Sequence, residues 1–317
     1  MADRQGRWTA ADVPDQSRRT AVVTGASGGL GLETAEVLAG RGAAVVIAAR
    51  DPRKADRAAD RIRSSAAGAS VLVVHLDLSS LASVREAAEE ILAACPSLDL
   101  LINNAGVMAI PREVTEDGFE RTLATNHLGH FALTGLLLGR MLDTPGSRVV
   151  TVSSNGHRMG DGVMHFEDLQ LAKAYQPWPA YYRSKLANLL FTYELQRRLS
   201  ASDADTIALA AHPGNARTDL WRHSRLSQAL YQPRLRPLTF WFAQSAHMGA
   251  LATLRAATDP AAKGGEYYGP PGRQQFTGHP VRVESSAQSH DEAAAARLWA
   301  TSEELTGVSY RALAHSG

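Results

Sequence analysis

The fold class is decided by the stretch Thr20-Ala21-Val22-Val23-Thr24-Gly25-Ala26-Ser27-Gly28-Gly29-Leu30-Gly31. Its first half is an apolar, β-branched run that stops at glycine, which predicts a buried strand. The residues after it, 32–39, have the composition of a helix. Glycines between a strand and a helix allow a tight turn and close approach of a pyrophosphate, whose charge faces the helix N-terminus. The stretch therefore predicts a pyrophosphate-binding turn. A glycine turn that serves packing alone is the alternative.

Strands and helices alternate along the rest of the chain. Further strands are predicted at 43–49, 71–76, 98–102, 148–153, 206–211 and 266–268, and helices at 51–64, 81–94, 116–142, 180–191, 218–258 (two segments) and 291–304. This order predicts an α/β fold, a single Rossmann-type doubly wound parallel sheet of about seven strands, with helices on both faces and a small C-terminal helical substrate lobe. No linker marks a boundary, so we expect an extension at 1–18 and one domain at 19–317, with a substrate loop at about 215–260.

Composition excludes several classes of protein. The 317 residues are 44% hydrophobic and carry 33 basic and 32 acidic side chains, a net charge of +1, so no nucleic acid partner is indicated. The single cysteine, Cys95, rules out an internal disulfide and a cysteine-based metal site. Met1–Arg19 lacks the apolar core of a signal peptide, and the most apolar helix, around Leu128–Leu142, is too short to span a bilayer. We therefore expect a cytoplasmic protein without membrane insertion.

A candidate proton-transfer group lies at the start of a predicted helix. Tyr181 and Lys185 are four residues apart, so they share a helix face. An ammonium group beside a phenol favours the phenolate and lowers the phenol pKa, which makes a proton donor or acceptor for a carbonyl or an alcohol. Tyr182 competes for this role, but it is only three residues from Lys185. A Tyr-x-x-x-Lys pair also occurs on helices that have no catalytic role.

The end of the second strand predicts the choice of cofactor. Enzymes that prefer the unphosphorylated nicotinamide cofactor usually end this strand with a carboxylate that binds the ribose hydroxyls. This chain has Ala48-Ala49-Arg50 there. A guanidinium grips a 2′-phosphate in a bidentate way, so we expect NADP(H) to be preferred over NAD(H), with Arg50 as the main contact and Lys54 as a helper. The alternative is that Arg50 faces solvent.

Further motifs follow in order, and with Thr24–Gly31 they resemble the short-chain dehydrogenase/reductase family over most of residues 20–220. These motifs are His75-Leu76-Asp77-Leu78, Asn103-Asn104-Ala105-Gly106, Thr125-Asn126-His127, Val152-Ser153-Ser154 and Pro213-Gly214 followed by Thr218. The resemblance implies hydride transfer between a nicotinamide and the carbon of a carbonyl or of a primary or secondary alcohol.

The resemblance also implies roles for individual residues. Tyr181 is the general acid/base, Ser154 hydrogen-bonds the substrate oxygen, Lys185 also holds the nicotinamide ribose, and Asn126 holds a water that links Lys185 to solvent. The implied cofactor-binding set comprises Gly25, Ser27, Gly28, Gly29, Leu30, Gly31, Arg50, Lys54, Asp77, Leu78, Asn104, Ala105, Gly106, Tyr181, Lys185, Pro213, Gly214, Asn215 and Thr218. No metal is implied. Dimerisation through the long helices is common in the family, so a homodimer is a further expectation.

The spacing of the catalytic residues places the chain within the family. Ser154 and Tyr181 are 27 residues apart, and this long segment resembles the retinol dehydrogenase, protochlorophyllide reductase and WW-domain oxidoreductase branch. Residues 155–180 and 215–245 should line the substrate pocket, and their apolar side chains favour a mostly apolar carbonyl or alcohol. Those side chains are Met159, Met164, Trp178, Leu220, Trp221, Leu230, Tyr231, Phe240, Trp241 and Phe242. They could instead pack the C-terminal helices.

Two other classes of function remain open at the level of sequence, a cofactor sensor and an interaction scaffold for which no specific feature is visible. An NADP(H)-binding sensor with the same fold and little turnover would use the same cofactor residues. The histidines at 127, 130, 157 and 212 could suggest a metal, but none forms a His-x-x-x-His pair on a readable helix, so packing or capping is the preferred interpretation. His157 could also line the substrate pocket.

Overall fold

The computed structural model describes residues 7–216 and 243–313. Within them lies one eight-stranded sheet in the order β3-β2-β1-β4-β5-β6-β7-β8, and every neighbouring pair is parallel except β7 and β8. The strands are β1 (Thr20–Thr24), β2 (Ala44–Ala49), β3 (Val71–His75), β4 (Leu100–Asn103), β5 (Arg148–Val152), β6 (Ile207–Ala211), β7 (Tyr267–Gly269) and β8 (Val281–Arg282). The predicted fold class is confirmed, with one strand more than expected.

Helices cover both faces of this sheet. They are α1 (Gly29–Gly40), α2 (Pro52–Ser65), α3 (Leu81–Ala94), α4 (Arg121–Leu123), α5 (Gly129–Leu142), α6 (Pro177–Ala201), α7 (Ala246–Thr258) and α8 (Glu292–Thr306). One face packs against α1, α2 and α7, and the other against α3, α5 and α6. Adjacent residues of a strand lie on opposite faces of the sheet. Val22 packs in the core beneath α3, α5 and α6, whereas Val23 packs in the core beneath α1, α2 and α7. Burial on both faces explains why the strands are continuously apolar.

The strand order creates a crevice at one edge of the sheet. β1 pairs with β2 on one side and with β4 on the other, so the chain leaves β1 in one direction and returns to the opposite side after β3. Ligands of open α/β sheets bind where the order reverses, outside the carboxyl ends of the strands. Thr24, Asn103 and Val152 end their strands at this edge. The fold therefore gathers residues that are distant in sequence into one site.

The long helix predicted at 116–142 begins later than expected. Residues before it form a turn, closed by a bridge between Val114 and Glu120. Glu120 then caps α4, because its carboxylate oxygens accept from the amides of Thr122 and Leu123 at 2.7 and 2.8 Å. A π-turn, Ala124–Leu128, joins α4 to α5. Such wide turns are frequent at functional sites, and this one carries Asn126.

The C-terminal part differs from the prediction in its layout. Helix α7 packs beside α1 as part of the sheet's core, so it is a layer of the main fold. Helix α8 packs on α6, where Trp299 lies among Phe131, Phe191 and Tyr310 with ring centroids 4.4–5.9 Å away. The helices and pocket residues predicted between 217 and 242 lie outside the described residues.

Candidate active site

The glycine turn has the backbone that the sequence predicts. Gly25 has φ +68°, a left-handed conformation that other residues rarely adopt. Gly31 lies so close to the preceding turn that a Cβ there would stand 2.6 Å from both the Gly25 carbonyl oxygen and Asn104 Nδ2. A Cβ on Gly28 would meet nothing within 4 Å, because this residue borders open space. The turn thus leaves room for a ligand at the N-terminus of α1.

A cavity of about 320 Å³ lies over this turn. Thirteen of the predicted cofactor residues line it, and they come from the turn, β2, β3 and β4. These are Gly25, Ser27, Gly28, Gly29, Leu30, Gly31, Arg50, Lys54, Asp77, Leu78, Asn104, Ala105 and Gly106. The sequence interpretation missed six further lining residues: Ala48, Ala49, Asp51, Leu76, Val107 and Thr125. Most of these are neighbours of predicted residues, so extending each motif by one or two positions would have found them.

The far end of this cavity carries charged side chains of both signs. Arg50 is exposed and directly follows β2. Asp51 caps α2 by accepting from the Lys54 amide at 3.1 Å, and its carboxylate lies 3.9 Å from the Lys54 ammonium group. Asp77 is fixed by Ser79, which donates to Asp77 Oδ1 from both its amide and its hydroxyl, at 2.9 and 2.6 Å. Arg50, Lys54 and the N-terminus of α2 thus lie at this end of the cavity together with two carboxylates.

A second cavity of about 260 Å³ adjoins the first and shares Leu30, Asn104 and Gly106 with it. The predicted residues that line it are Ser154, Tyr181, Lys185, Pro213, Gly214 and Asn215. Thr218 lies outside the described residues. Among the expected pocket residues, Met159 and Trp178 also line this cavity, whereas Met164 is buried against Leu186 and Leu190. Together the two adjoining cavities reach from the glycine turn to Tyr181.

Tyr181, Ser154 and Lys185 meet at the wall of the second cavity. Tyr181 and Lys185 lie on α6, with the Lys185 ammonium nitrogen 5.8 Å from the centre of the Tyr181 ring. That nitrogen donates to the Val152 carbonyl at 3.0 Å. Gly156 makes the approach possible, since a Cβ there would stand 3.1 Å from Tyr181 and 3.5 Å from Ser154 Oγ. The end of β5 and the start of α6 thus converge on one point.

Burial dominates the electrostatics of this pair. It raises the pKa of Tyr181 to about 12, although a hydrogen bond with Ser154 opposes the shift. Burial also lowers the pKa of Lys185 to about 8. The sequence predicted that Lys185 would lower the tyrosine pKa, and the structure gives the opposite direction. The physical reason is that burial disfavours the charged form of each group, and this desolvation is the largest influence on both pKa values.

Asn126 holds the π-turn against the rest of the site. Its side-chain oxygen accepts from the Val107 amide at 2.8 Å, and its Nδ2 donates to the Val107 carbonyl at 2.9 Å and to Ser184 Oγ at 2.8 Å. Ser184 donates in turn to the Tyr181 carbonyl at 2.7 Å. The sequence interpretation missed Ser184, although its position three residues after Tyr181 placed it on a neighbouring helix face.

The four histidines are buried and serve as internal hydrogen-bonding groups. Burial lowers the pKa of His127, His130 and His212 to about 3, and that of His157 to about 4. His157 contacts the Ser154 carbonyl at 2.6 Å and does not line the second cavity. Among the residues that the structure describes, no group of three or more His, Cys, Asp or Glu is arranged to hold a metal ion.

The site fits a nicotinamide dinucleotide. The glycine turn offers open space at Gly28 for a pyrophosphate, and the two adjoining cavities have linings that reach from Arg50 to Tyr181. Gly106, between the two cavities, is packed so closely that a Cβ would stand 3.0 Å from Asn126 Oδ1 and 3.6 Å from Lys185 Nζ. An elongated dinucleotide with a pyrophosphate over the glycine turn and a reactive ring near Tyr181 matches this shape.

Comparison with known proteins agrees with this geometry. A family model described as short chain dehydrogenase matches residues 19–166. Retinol dehydrogenase 12 of Homo sapiens is 43% identical over 290 residues, which cover 92% of this chain and 87% of that protein. The chain therefore belongs to the short-chain dehydrogenase/reductase family, whose members use NAD(H) or NADP(H) to act on alcohols and carbonyl compounds.

Further relatives specify the branch. Retinol dehydrogenase 13 of Homo sapiens is 40% identical over 294 residues, covering 92% of this chain and 85% of that protein. A crystal structure of an uncharacterised protein from Mycobacterium Paratuberculosis is 45% identical, with a TM-score of 0.78, and covers 96% of this chain and 99% of that one. The predicted resemblance to the retinol dehydrogenase branch is confirmed. Within residues 7–216 and 243–313, no helix has the length and apolarity needed to cross a bilayer.

Proposed function

We propose that this protein is an NADP(H)-dependent oxidoreductase that acts on a carbonyl, or on the corresponding primary or secondary alcohol, of a mostly apolar substrate. The observation that carries the proposal is the convergence of Tyr181, Ser154 and Lys185 on a cavity that adjoins the one above the glycine turn. Bound in this space, the cofactor would supply the hydride that is exchanged with the substrate carbon.

Gly28 and its neighbours would hold the pyrophosphate at the N-terminus of α1, where free amides favour negative charge. Asp77 and Leu78 would border the adenine, and Lys185 would hold the nicotinamide ribose. Pro213, Gly214 and Asn215 would border the nicotinamide ring, with Thr218 as a further proposed contact. These roles agree with the positions of the described residues along the two cavities.

Tyr181 would exchange a proton with the substrate oxygen, and Ser154 would hydrogen-bond the same oxygen. A buried phenol with a pKa of about 12 is protonated at neutral pH. That state suits donation to the alkoxide that forms when a carbonyl is reduced, because an alkoxide is a far stronger base than a phenolate.

Arg50 supports a preference for NADP(H). Its guanidinium is exposed at the mouth of the first cavity, and among the described residues it makes no hydrogen bond or ion pair. Arg50→Ala should raise the Michaelis constant for NADPH about tenfold or more and leave that for NADH nearly unchanged. An unchanged constant for NADPH would exclude Arg50 as the 2′-phosphate contact.

The second cavity supports an apolar substrate. Met108, Met159, Trp178, Tyr182 and Phe276 line its outer part, and side chains of these types favour apolar ligands. The test is oxidation of NADPH and NADH against a panel of carbonyl compounds graded in size and polarity, with retinal included because relatives carry that substrate class in their names. Apolar aldehydes or ketones should give the highest kcat/KM.

A matched pair of variants tests the catalytic assignment. Tyr181→Phe should abolish turnover and leave NADPH binding nearly intact, whereas Tyr182→Phe should retain most of the activity. Retained turnover in Tyr181→Phe would refute the assignment. NADPH binding without turnover on any substrate, together with no effect of Tyr181→Phe, would favour the sensor function instead. The cytoplasmic location, the homodimer and the single domain at 19–317 stay predictions.

A further inference from the structure

His130 lies between the cofactor cavity and the catalytic helix. It is 1% exposed, one helical turn after Asn126 on the same helical segment. Its Nδ1 lies 3.2 Å from the Asn126 carbonyl oxygen, and its Nε2 lies 2.9 Å from Thr24 Oγ1, at the end of β1. Both ring nitrogens therefore have partners, and the partners belong to the two halves of the site.

The partners determine the tautomer of His130. A carbonyl oxygen only accepts, so Nδ1 carries the proton and donates to Asn126. Burial lowers the pKa of His130 to about 3, so the ring is neutral and Nε2 is an acceptor. The Thr24 hydroxyl accordingly donates to Nε2 at 2.9 Å, which is shorter than its 3.3 Å distance to the Ile102 carbonyl.

The same hydroxyl oxygen accepts two bonds from the wall of the cofactor cavity. The amides of Asn104 and Ala105 donate to Thr24 Oγ1 at 2.9 and 3.0 Å, and both residues line the first cavity. Thr24 Oγ1 thereby uses both acceptor positions and its single proton. A change in the position of the Asn104–Ala105 segment is thus transmitted to His130 through a saturated hydroxyl group.

On the other side, the connection continues to the catalytic helix. Asn126 Nδ2 donates to Ser184, and Ser184 donates to the Tyr181 carbonyl. Every donor in this series points from the cofactor cavity toward Tyr181. Hydrogen bonds arranged in one direction polarise one another, and each holds its neighbours in place.

On the basis of the proposed function, we propose that His130 is a positioning residue that fixes Asn126 relative to the wall of the cofactor cavity and so couples cofactor binding to the placement of Tyr181. The two contacts of the ring have separate consequences. The Thr24 contact orders the Asn104–Ala105 wall, and therefore governs cofactor affinity. The Asn126 contact orders the π-turn, and therefore governs the catalytic step.

Two substitutions separate these contacts. His130→Gln places an amide near the position of Nε2 and can keep the Thr24 contact while losing the donation to Asn126. His130→Asn places an amide near Nδ1 and can keep the Asn126 contact while losing Thr24. His130→Phe removes both at similar volume. Thr134→Val is the matched control, because Thr134 lies one turn further along α5 and its hydroxyl accepts a buried bond from Asn103 at 3.0 Å.

The expected results form a crossed pattern. His130→Gln should keep the Kd for NADPH, measured by fluorescence titration, within about twofold and lower kcat about fivefold. His130→Asn should weaken NADPH binding about fivefold and keep kcat at saturating NADPH within about twofold. His130→Phe should lose both, and Thr134→Val should lower Tm and change neither. Equal effects of the Gln and Asn variants on Kd and kcat, or values like those of Thr134→Val, would overturn the proposal.

A measurement on the wild-type protein without cofactor depends neither on turnover nor on the folding of the His130 variants. Nitrogen-15 NMR of histidine-labelled wild-type protein should show His130 as the neutral Nδ1–H tautomer at about pH 6, and Thr24→Ser should retain that signature. An Nε2–H tautomer or a charged ring would overturn the proposed pair of hydrogen bonds that join His130 to Asn126 and to Thr24. If the wild-type protein binds NADPH but reduces no carbonyl compound, the proposed function fails, while the Kd and NMR results still decide the role of His130.

Discussion

Replacing Lys185 by Met should weaken the dependence of stability on pH in the alkaline range. The Lys185 side chain is buried, and its ammonium group donates to one described partner, the Val152 carbonyl, at 3.0 Å. Burial lowers its pKa from 10.5 to about 8. Methionine has a similar length and no charge, so Lys185→Met removes the titrating group while preserving most of the packing.

The sign of the effect follows from proton binding. The folded-state pKa of Lys185 is lower than the unfolded value, so between about pH 8 and about pH 10.5 the unfolded chain binds more protons than the folded one. Stability therefore rises with pH in this range. From about pH 7 to about pH 9.5, the wild-type protein should gain about 2 kcal/mol of unfolding free energy relative to the variant.

Urea denaturation at these two pH values measures the difference, and the change between them is compared for wild type and variant. Lys173→Met provides the control, because Lys173 is exposed and its removal should leave the wild-type difference nearly unchanged. An equal pH dependence in wild type and Lys185→Met would show that Lys185 is well solvated, and would refute the assigned electrostatics of the site.

Three further predictions concern packing and buried titratable groups. Gly106→Ala should lower kcat about tenfold or more, measured at saturating NADPH, because its Cβ would stand 3.0 Å from Asn126 Oδ1 and displace it. Trp299→Ala should lower the unfolding free energy by about 3–5 kcal/mol in urea titrations, since this side chain is 2% exposed among three aromatic rings. The four buried histidines have lowered pKa values. As the pH falls, they therefore become protonated at a higher pH in the unfolded chain than in the folded protein. Each histidine should lower the unfolding free energy by about 1.4 kcal/mol for every pH unit below about pH 6. A urea denaturation midpoint that stays constant from pH 7 to pH 5 would contradict this.

Much of the fold was predictable because its signals are local. The apolar strand β1 and the glycine turn after it are adjacent in sequence, and the turn's geometry follows from glycine chemistry. Tyr181 and Lys185 were likewise predictable as neighbours on one helix face. Strand β8 was missed because two residues carry too little pattern, and it exists only through its pairing with β7.

The remaining features depend on contacts between distant parts of the chain. Thr24 and His130 are 106 residues apart in sequence, and nothing local in either indicates that they meet. The pKa of Tyr181 was predicted in the wrong direction for a related reason. A neighbouring cation is visible in the sequence, whereas the depth of burial is set by the whole fold and here outweighs it.

The structure also separates two roles that the family resemblance combines in Asn126. Its side-chain oxygen and both amide protons are engaged, by Val107 and Ser184, so the side chain is committed to holding the π-turn against α6. For the water that the resemblance assigns to this residue, two acceptors are left: the second lone pair of Oδ1 and the main-chain carbonyl oxygen. The main-chain carbonyl oxygen accepts from His130 Nδ1 at 3.2 Å, which helps to fix its direction. If a proton path runs through Asn126, as the resemblance implies, we expect its placement to depend on His130 as well.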